Sequence, residues 1–302
     1  MLPADLAEEL ETELRALARL DGTEGIAPEY LHFCQAVVHA QASARASIRG
    51  AFPAEMEGGG PATGRRLARG DVRFDASVLR RLLRDLEGWA GAATPHDQLR
   101  ALAGAADADP GLLRDLAAAT AFDDDTGTLD GMAHRLGIPA SWLRYVGQLL
   151  AAPFVQEARR RRGYCAERDA RDGGPAEACR CPSCGSPPAL AVLEPDAGRR
   201  RLACGLCGDT WLAPRLMCAA CGTRDQSSLV TLSVRQGDAY WVEACDACGR
   251  YLKTVDLRRV AGDPLWVLRA ADAASLHLDL LAEDAGYVRP DIHPSPPVGI
   301  TT

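Results

Sequence analysis

Apolar residues recur every three or four positions through the first half of the chain. Leucines and valines fall at this spacing in residues 79–86 and again in residues 143–150. This is the period of an amphipathic helix. Pro28 stands where the first turn of a helix tolerates proline, and Gly137-Ile138-Pro139 separates two later segments. The pattern predicts about seven helices in residues 2–162.

The pattern changes after residue 162. Short β-type runs at residues 190–193 and 229–234 replace the helical period, and pairs of cysteines occur at the turns. Residues 169–177 look like a linker, helical spacing returns in residues 270–286, and the end is rich in proline. The sequence therefore predicts an α+β chain. An all-α domain over residues 1–172 precedes a region over residues 173–302 with small β-hairpins, a closing C-terminal helix and an extended tail.

Composition and charge limit the possible functions. The net charge is −7 and the pI is near 5.4, so the chain as a whole does not attract nucleic acid or an anionic membrane. No apolar stretch reaches the roughly 18 residues of a membrane span. The first residues are acidic, unlike those of a secretory signal. We expect a cytoplasmic chain with no membrane insertion and no nucleic acid partner.

Eight of the eleven cysteines stand in four C-x-x-C pairs. In a reducing compartment this usage indicates metal ligation rather than disulfides. A glycine follows each pair and suits a tight turn that aims two thiolates at one ion. The predicted ligands are Cys181, Cys184, Cys204, Cys207, Cys218, Cys221, Cys245 and Cys248. Protein fills all four positions of a tetrahedral ion, which favours a structural role, and zinc and iron suit the sulfurs equally well.

The gaps between the pairs predict which pairs share an ion. Nineteen residues separate Cys184 from Cys204, and 23 separate Cys221 from Cys245, both near the length of a ribbon hairpin. Only ten residues lie between Cys207 and Cys218, so a crossed pairing stays open as an alternative. We expect two metal ions per chain, iron or zinc, one held by the first two pairs and one by the last two.

The motifs follow one another in an order that resembles a known family. Between Cys181 and Arg289 the chain reads, in turn, CPSCGSPP, RRRLACGLCGDTW, CAACGT, EACDACGRYLKT and LHLDLLAEDAGYVRP. This order is similar to that of the formate dehydrogenase accessory proteins, the FdhE family. The resemblance implies a helical N-terminal domain joined to rubredoxin-like or zinc-ribbon-like metal units, with the eight cysteines as ligands. It also implies a cytoplasmic maturation factor, not an enzyme, that binds the catalytic subunit of respiratory formate dehydrogenase before export.

A partner-binding surface is expected where this resemblance is concentrated. Asp272, Ser275 and Asp279 are three and four residues apart, and we expect them to form a polar face that points away from the leucine-rich side of the last helix. The chain departs from the family at Ala273, where a second aspartate is usual. A homodimer is also compatible with the sequence.

Other functions are open to the same ligands. One iron in four cysteines supports rubredoxin-like electron transfer, and zinc ribbons bind nucleic acid in other proteins. Arg199, Arg200 and Arg201 form a basic run, which we interpret first as a solvated hairpin tip and second as a docking surface for an acidic partner. The sequence shows no nucleophile–base pair, phosphate-binding glycine loop or open metal site, so catalysis is the weaker class.

Overall fold

The computed structural model describes residues 2–51, 66–88, 96–122, 127–162, 178–235, 237–260 and 268–289. The chain divides into two units, whose described parts are residues 2–162 and 178–289. The predicted linker at residues 169–177, the predicted domain boundary at residue 172 and the proline-rich tail lie outside the described residues.

The first unit is helical. Its described helices are α1 Ala4–Ala18, α2 Pro28–Ala51, α3 Ala76–Gly88, α4 His96–Ala108, α5 Leu112–Phe122, α6 Gly127–Leu136 and α7 Ala140–Arg161, with a 3-10 helix at Arg69–Asp71. The predicted series of helices is confirmed, and α2 begins at Pro28 as expected. No described helix is both long enough and apolar enough to cross a membrane.

Helix α7 lies at the centre of this unit. Most of its residues are buried, because it contacts α2, α5 and α6. The side chain of Gln41 in α2 donates from Nε2 to the carbonyl of Leu149 in α7 at 2.9 Å. This bond satisfies a buried amide and fixes the two helices relative to each other.

A buried carboxylate completes the packing of α7. Glu157 is fully buried and accepts hydrogen bonds from Arg45, Arg49 and Arg160, each at 2.8 Å. Burial acts to raise the pKa of Glu157, but the hydrogen bonds from the three arginines outweigh it. The pKa of Glu157 therefore lies below that of an ordinary glutamate.

A six-stranded sheet organises the second unit. Its strands are β1 Pro188–Leu193, β2 Arg200–Cys204, β3 Thr210–Leu212, β4 Leu229–Leu232, β5 Tyr240–Cys245 and β6 Arg250–Asp256. They lie in the order β3-β2-β1-β6-β5-β4. Neighbouring strands are antiparallel except β1 and β6, which pair in parallel over residues 191–193 and 254–256. The predicted β-hairpins are present, and this parallel pair joins them into one sheet.

The two halves of the sheet repeat one pattern. Each half consists of a cysteine pair, two antiparallel strands, a second cysteine pair and a third strand. In each half the second of the three strands along the chain, β2 or β5, also lies between the other two in the sheet. This repeat places the two cysteine pairs of each half near the same end of its hairpin, because antiparallel strands bring their turns and neighbouring ends together.

Two short helices close the second unit. They are α8 Leu268–Ala273 and α9 Leu276–Asp284, and α9 packs Leu278 and Ala282 against one face of β5 and β6. The sequence predicted a single closing helix. The helix is interrupted at Ser275, whose backbone has φ −120° and ψ 25° and whose hydroxyl donates to the carbonyl of Ala271 at 2.8 Å.

Candidate metal centres

All four C-x-x-C pairs form the same tight turn. The N–H of the glycine after each pair donates to the carbonyl of the first cysteine, at 2.8 to 3.1 Å. These glycines have φ between 66° and 81°, a left-handed conformation that L side chains rarely adopt. They are Gly185, Gly208, Gly222 and Gly249. Backbone N–H groups also donate to sulfur, as from Cys207 to Cys204 Sγ at 3.4 Å.

The eight cysteines form two groups of four. The first cluster is Cys181, Cys184, Cys204 and Cys207, and the second is Cys218, Cys221, Cys245 and Cys248. In each cluster all four sulfur atoms lie within 4.8 Å of one another. The first pair thus joins the second and the third joins the fourth, as the gap lengths predicted, and the crossed pairing is not formed.

The distances between sulfur atoms suit a tetrahedral metal ion. Two Sγ–Sγ distances in the first cluster are 3.5 Å, and two in the second are 3.8 and 3.9 Å. Four sulfurs bound at about 2.3 Å to one ion lie roughly 3.8 Å apart at tetrahedral angles. Both clusters therefore have the donor set and the spacing for zinc or for a single iron.

The pKa values of the cysteines in the first cluster also favour a bound cation. Burial raises the pKa of Cys181 and of Cys207, whereas hydrogen bonds from neighbouring cysteines lower the pKa of Cys184. Lost hydration and mutual repulsion therefore oppose the ionisation of all four thiols when no cation is bound. A metal ion is the counter-charge that fits this donor set.

The two clusters differ in exposure to solvent. All four cysteines of the first cluster are buried. In the second cluster Cys221 is exposed and Cys248 is half-buried. The second cluster is therefore open to solvent and to other molecules on the side where these two sulfurs lie.

The first cluster also has a polar clamp that the second lacks. The hydroxyl of Ser183, inside the first turn, donates to the carboxylate of Asp209, which follows the second turn and is buried. The corresponding positions around the second cluster are Ala220 and Arg250. Those side chains do not provide this hydroxyl–carboxylate bond, so only the first cluster has its two turns tied together in this way.

The predicted partner-binding face is buried. Asp272, Ser275 and Asp279 are each 0% exposed, so the expectation of an exposed polar face is wrong. Lys253 Nζ lies 2.7 Å from a carboxylate oxygen of each aspartate, and Arg289 pairs with both carboxylates. The prediction that the three residues share one face is correct, but this face packs against β6 and is not exposed.

This buried network is electrically balanced, with two carboxylates against two cations. The hydroxyl of Tyr251 donates to Asp279 Oδ1 at 2.8 Å. Burial, and then the charge of Asp279, raise the pKa of Tyr251 well above its usual value, so the hydroxyl stays a donor. The sequence signal for the network was Lys253, a charge on the same face of β6 as the aromatic Tyr251 and the apolar Val255.

The basic run is only partly solvated. Arg200 opens β2, is 2% exposed and pairs at 2.6 Å with Glu243 of β5 in the other half of the sheet. Arg199 and Arg201 both pair with Glu194. The interpretation as a solvated hairpin tip is therefore wrong for Arg200, which links the two halves.

Models of two known protein domains match the part of the chain that holds the two cysteine clusters. Residues 180–215 match the family described as FdhE, central domain, and residues 216–295 match FdhE, C-terminal domain. Residues 180–295 of the chain are therefore similar to the FdhE family. The resemblance seen in the order of the cysteine motifs is thereby confirmed.

Curated relatives of the family align with the same part of the chain. The Protein FdhE homolog of Aquifex aeolicus (strain VF5) is 35% identical over 112 residues, which cover 36% of this chain and 38% of that protein. Protein FdhE of Escherichia coli O9:H4 (strain HS) is 36% identical over 116 residues, which cover 38% of this chain and 36% of that protein. The chain thus spans a little over a third of the length of these relatives.

A solved member of the family has a similar fold. The crystal structure of the FdhE protein from Pseudomonas aeruginosa matches with a TM-score of 0.58 and 22% identity and covers 99% of each chain. At this identity the likeness establishes the fold alone. It includes the helical unit, which the two family domains do not cover.

Proposed function

We propose that this protein is a cytoplasmic accessory factor that assists the maturation of formate dehydrogenase by binding its catalytic subunit. The observation that carries the proposal is the match of residues 180–295 to the FdhE central and C-terminal domains. Both four-cysteine clusters lie within that segment. Similarity to the family points to the partner, and the cysteine clusters point to a metal-stabilised recognition unit.

In this proposal each cluster holds one zinc or iron ion through its four cysteines. Protein donors occupy every tetrahedral position, which leaves no place for water or substrate and supports a structural role. Metal binding and folding are coupled in small modules of this kind. The ions keep the four turns at the ends of the sheet in place, and the protein acts by recognition rather than by catalysis.

Co-purification with the tagged catalytic subunit of formate dehydrogenase tests this function. We expect the metal-loaded protein to form a stable complex, and Cys181→Ser to lose it, because that change removes one ligand of the buried cluster. Cys34→Ser is the matched control, since Cys34 is buried in α2 and belongs to neither cluster. Absence of a complex with the wild-type protein would refute the proposed partner. Equal binding by the two variants would refute the role of the metal.

The exposure of Cys221 favours a second candidate function, electron transfer. Iron bound by four cysteines supplies a one-electron couple, and an exposed ligand brings such a couple within reach of a redox partner. Voltammetry of the iron-loaded protein would show a reversible one-electron wave that Cys221→Ser abolishes and Cys34→Ser retains. A protein without such a wave is not an electron carrier.

A further inference from the structure

A groove lies on the face of the sheet opposite α9. Side chains alternate along a strand, so Trp241, Glu243 and Leu252 point away from the residues that pack against α9. They line a cavity of about 440 Å³ together with strand β4. Residues 215–220 form the other wall of this groove and include the first cysteine of the second cluster.

The lining of the groove is basic. Six arginines line it against three carboxylates, namely Arg200, Arg215, Arg235, Arg250, Arg258 and Arg259 against Asp238, Glu243 and Asp256. Glu243 pairs with Arg200, and Asp256 pairs with both Arg258 and Arg259, so arginines still exceed carboxylates by three in the lining. The groove is therefore a local positive region in a chain whose net charge is −7. Such a region attracts an anionic group.

Arg200 adds a donor that the described residues do not satisfy. Its side chain is 1% exposed, and its two terminal nitrogens donate to Glu243 and to two backbone carbonyls. Its Nε atom has no hydrogen-bond partner among the described residues. Buried donors are nearly always paired, so Arg200 is an exception in the wall of the groove, and it keeps its positive charge there.

The groove has two features that suit a polypeptide. Trp241 and Leu252 give it an apolar floor, and Leu216 on its wall is 58% exposed. Strand β4 is an edge strand of the sheet within the described residues, so alternate backbone N–H and C=O groups face outward. An extended segment can pair with such an edge as a further strand. A small anion uses neither the floor nor the edge.

We propose that this groove binds an extended acidic segment of a partner protein, paired with β4. Carboxylates of the segment meet the arginines, and its apolar side chains cover Trp241. The inference goes beyond the proposed function and does not depend on it, because it follows from the groove alone. It also replaces the buried face at Asp272 and Asp279 as the place where a partner binds.

Selection from a displayed library of random ten-residue peptides tests the proposal with the full-length, metal-loaded chain. We expect the selected peptides to be enriched in Asp and Glu over the unselected library. The affinity of the enriched peptides should fall at least about tenfold in the triple variant Arg215→Glu, Arg235→Glu and Arg250→Glu, because it reverses charges in the lining. These three arginines are exposed, so the variant should still fold.

The matched control is the triple variant Arg114→Glu, Arg135→Glu and Arg224→Glu. It makes the same change in net charge at exposed positions outside the groove and should retain the affinity. Peptides without acidic enrichment, or an equal loss of affinity in both variants, would overturn the proposal. Binding of a single-stranded RNA decamer or of inorganic phosphate with the same arginine dependence, without recovery of acidic peptides, would assign the groove to another ligand and also overturn it.

Discussion

The polar residues around the two cysteine clusters differ. Around the first cluster Ser183 donates to Asp209, whose carboxylate also accepts from the N–H of Thr210 at 2.9 Å. Around the second cluster Ala220 and Arg250 occupy the corresponding positions. Groups outside the ligand set orient the ligands and tune affinity, so two clusters with the same cysteine spacing should bind metal with different strength.

Replacing Ser183 with alanine tests this clamp. Ser183→Ala should weaken the metal affinity of the first cluster about tenfold, because the two turns lose their hydrogen-bonded link. Ala220→Ser is the matched change in the second cluster, where the partner position is Arg250, and should leave its affinity unchanged. Competition with a chromophoric chelator measures both affinities. An unaltered affinity in Ser183→Ala would mean that the clamp does not contribute.

The buried aspartates show where residue patterns stop being informative. The cysteines and their following glycines could be identified because each pattern is local and depends on the turn itself. For Asp272 and Asp279 the helical spacing predicts a shared face but not whether that face is buried. Their burial depends on Lys253 and Arg289, which come from β6 and from the chain after α9.

Removing one charge from this network should destabilise the second unit. Asp279→Asn leaves Lys253 and Arg289 with one carboxylate between them, so the free energy of unfolding should fall by about 3–5 kcal/mol. Asp284→Asn, at an exposed position of the same helix, should change it by less than about 0.5 kcal/mol. Urea unfolding of the metal-loaded variants gives both values. Similar values for the two variants would contradict the structural role of the network.

Elements with strong local signals were predictable, and contacts between distant elements were not. Helix α3 has a clear apolar period, with Leu79, Leu82, Leu83 and Leu86 buried, and α2 and α7 begin at or just after a proline. The parallel pairing of β1 with β6 joins strands that are about sixty residues apart, and side-chain alternation does not encode which strands meet. The break between α8 and α9 was missed because serine within a helical period is not a strong breaker.

The stability of the contact between α2 and α7 should depend on pH, because Glu157 links the two helices. Its lowered pKa means that the folded state holds the ionised form more strongly than the unfolded chain does. This stability is present above about pH 4.3, the ordinary pKa of glutamate, and is lost as the pH falls through the lower pKa of the folded state.

Glu157→Gln should therefore destabilise the helical unit at pH 7, by about 3–5 kcal/mol, and the difference from wild type should shrink toward pH 3. Glu8→Gln in α1 is the control, because Glu8 is exposed. Circular dichroism during urea unfolding across this pH range measures the effect. A constant difference between wild type and Glu157→Gln would show that the charge of Glu157 does not stabilise the fold.

At the scale of the whole molecule, the second unit is one module used twice and fused into a single sheet. Each half carries its own four-cysteine cluster, and the halves are tied by the β1–β6 pair and by Arg200 with Glu243. The repeat leaves one cluster closed and the other partly open. Cys218 of the open cluster lies in the wall of the basic groove, so the proposed partner site and the second candidate metal site are neighbours in this unit.

Anomalous scattering from crystals of the metal-loaded protein, recorded at the absorption edges of zinc and iron, tests the two-cluster arrangement most directly. We expect two peaks per chain, each about 2.3 Å from four sulfur atoms. One peak should lie among Cys181, Cys184, Cys204 and Cys207, and the other among Cys218, Cys221, Cys245 and Cys248. A single peak, or a peak shared by Cys184 and Cys218, would contradict it.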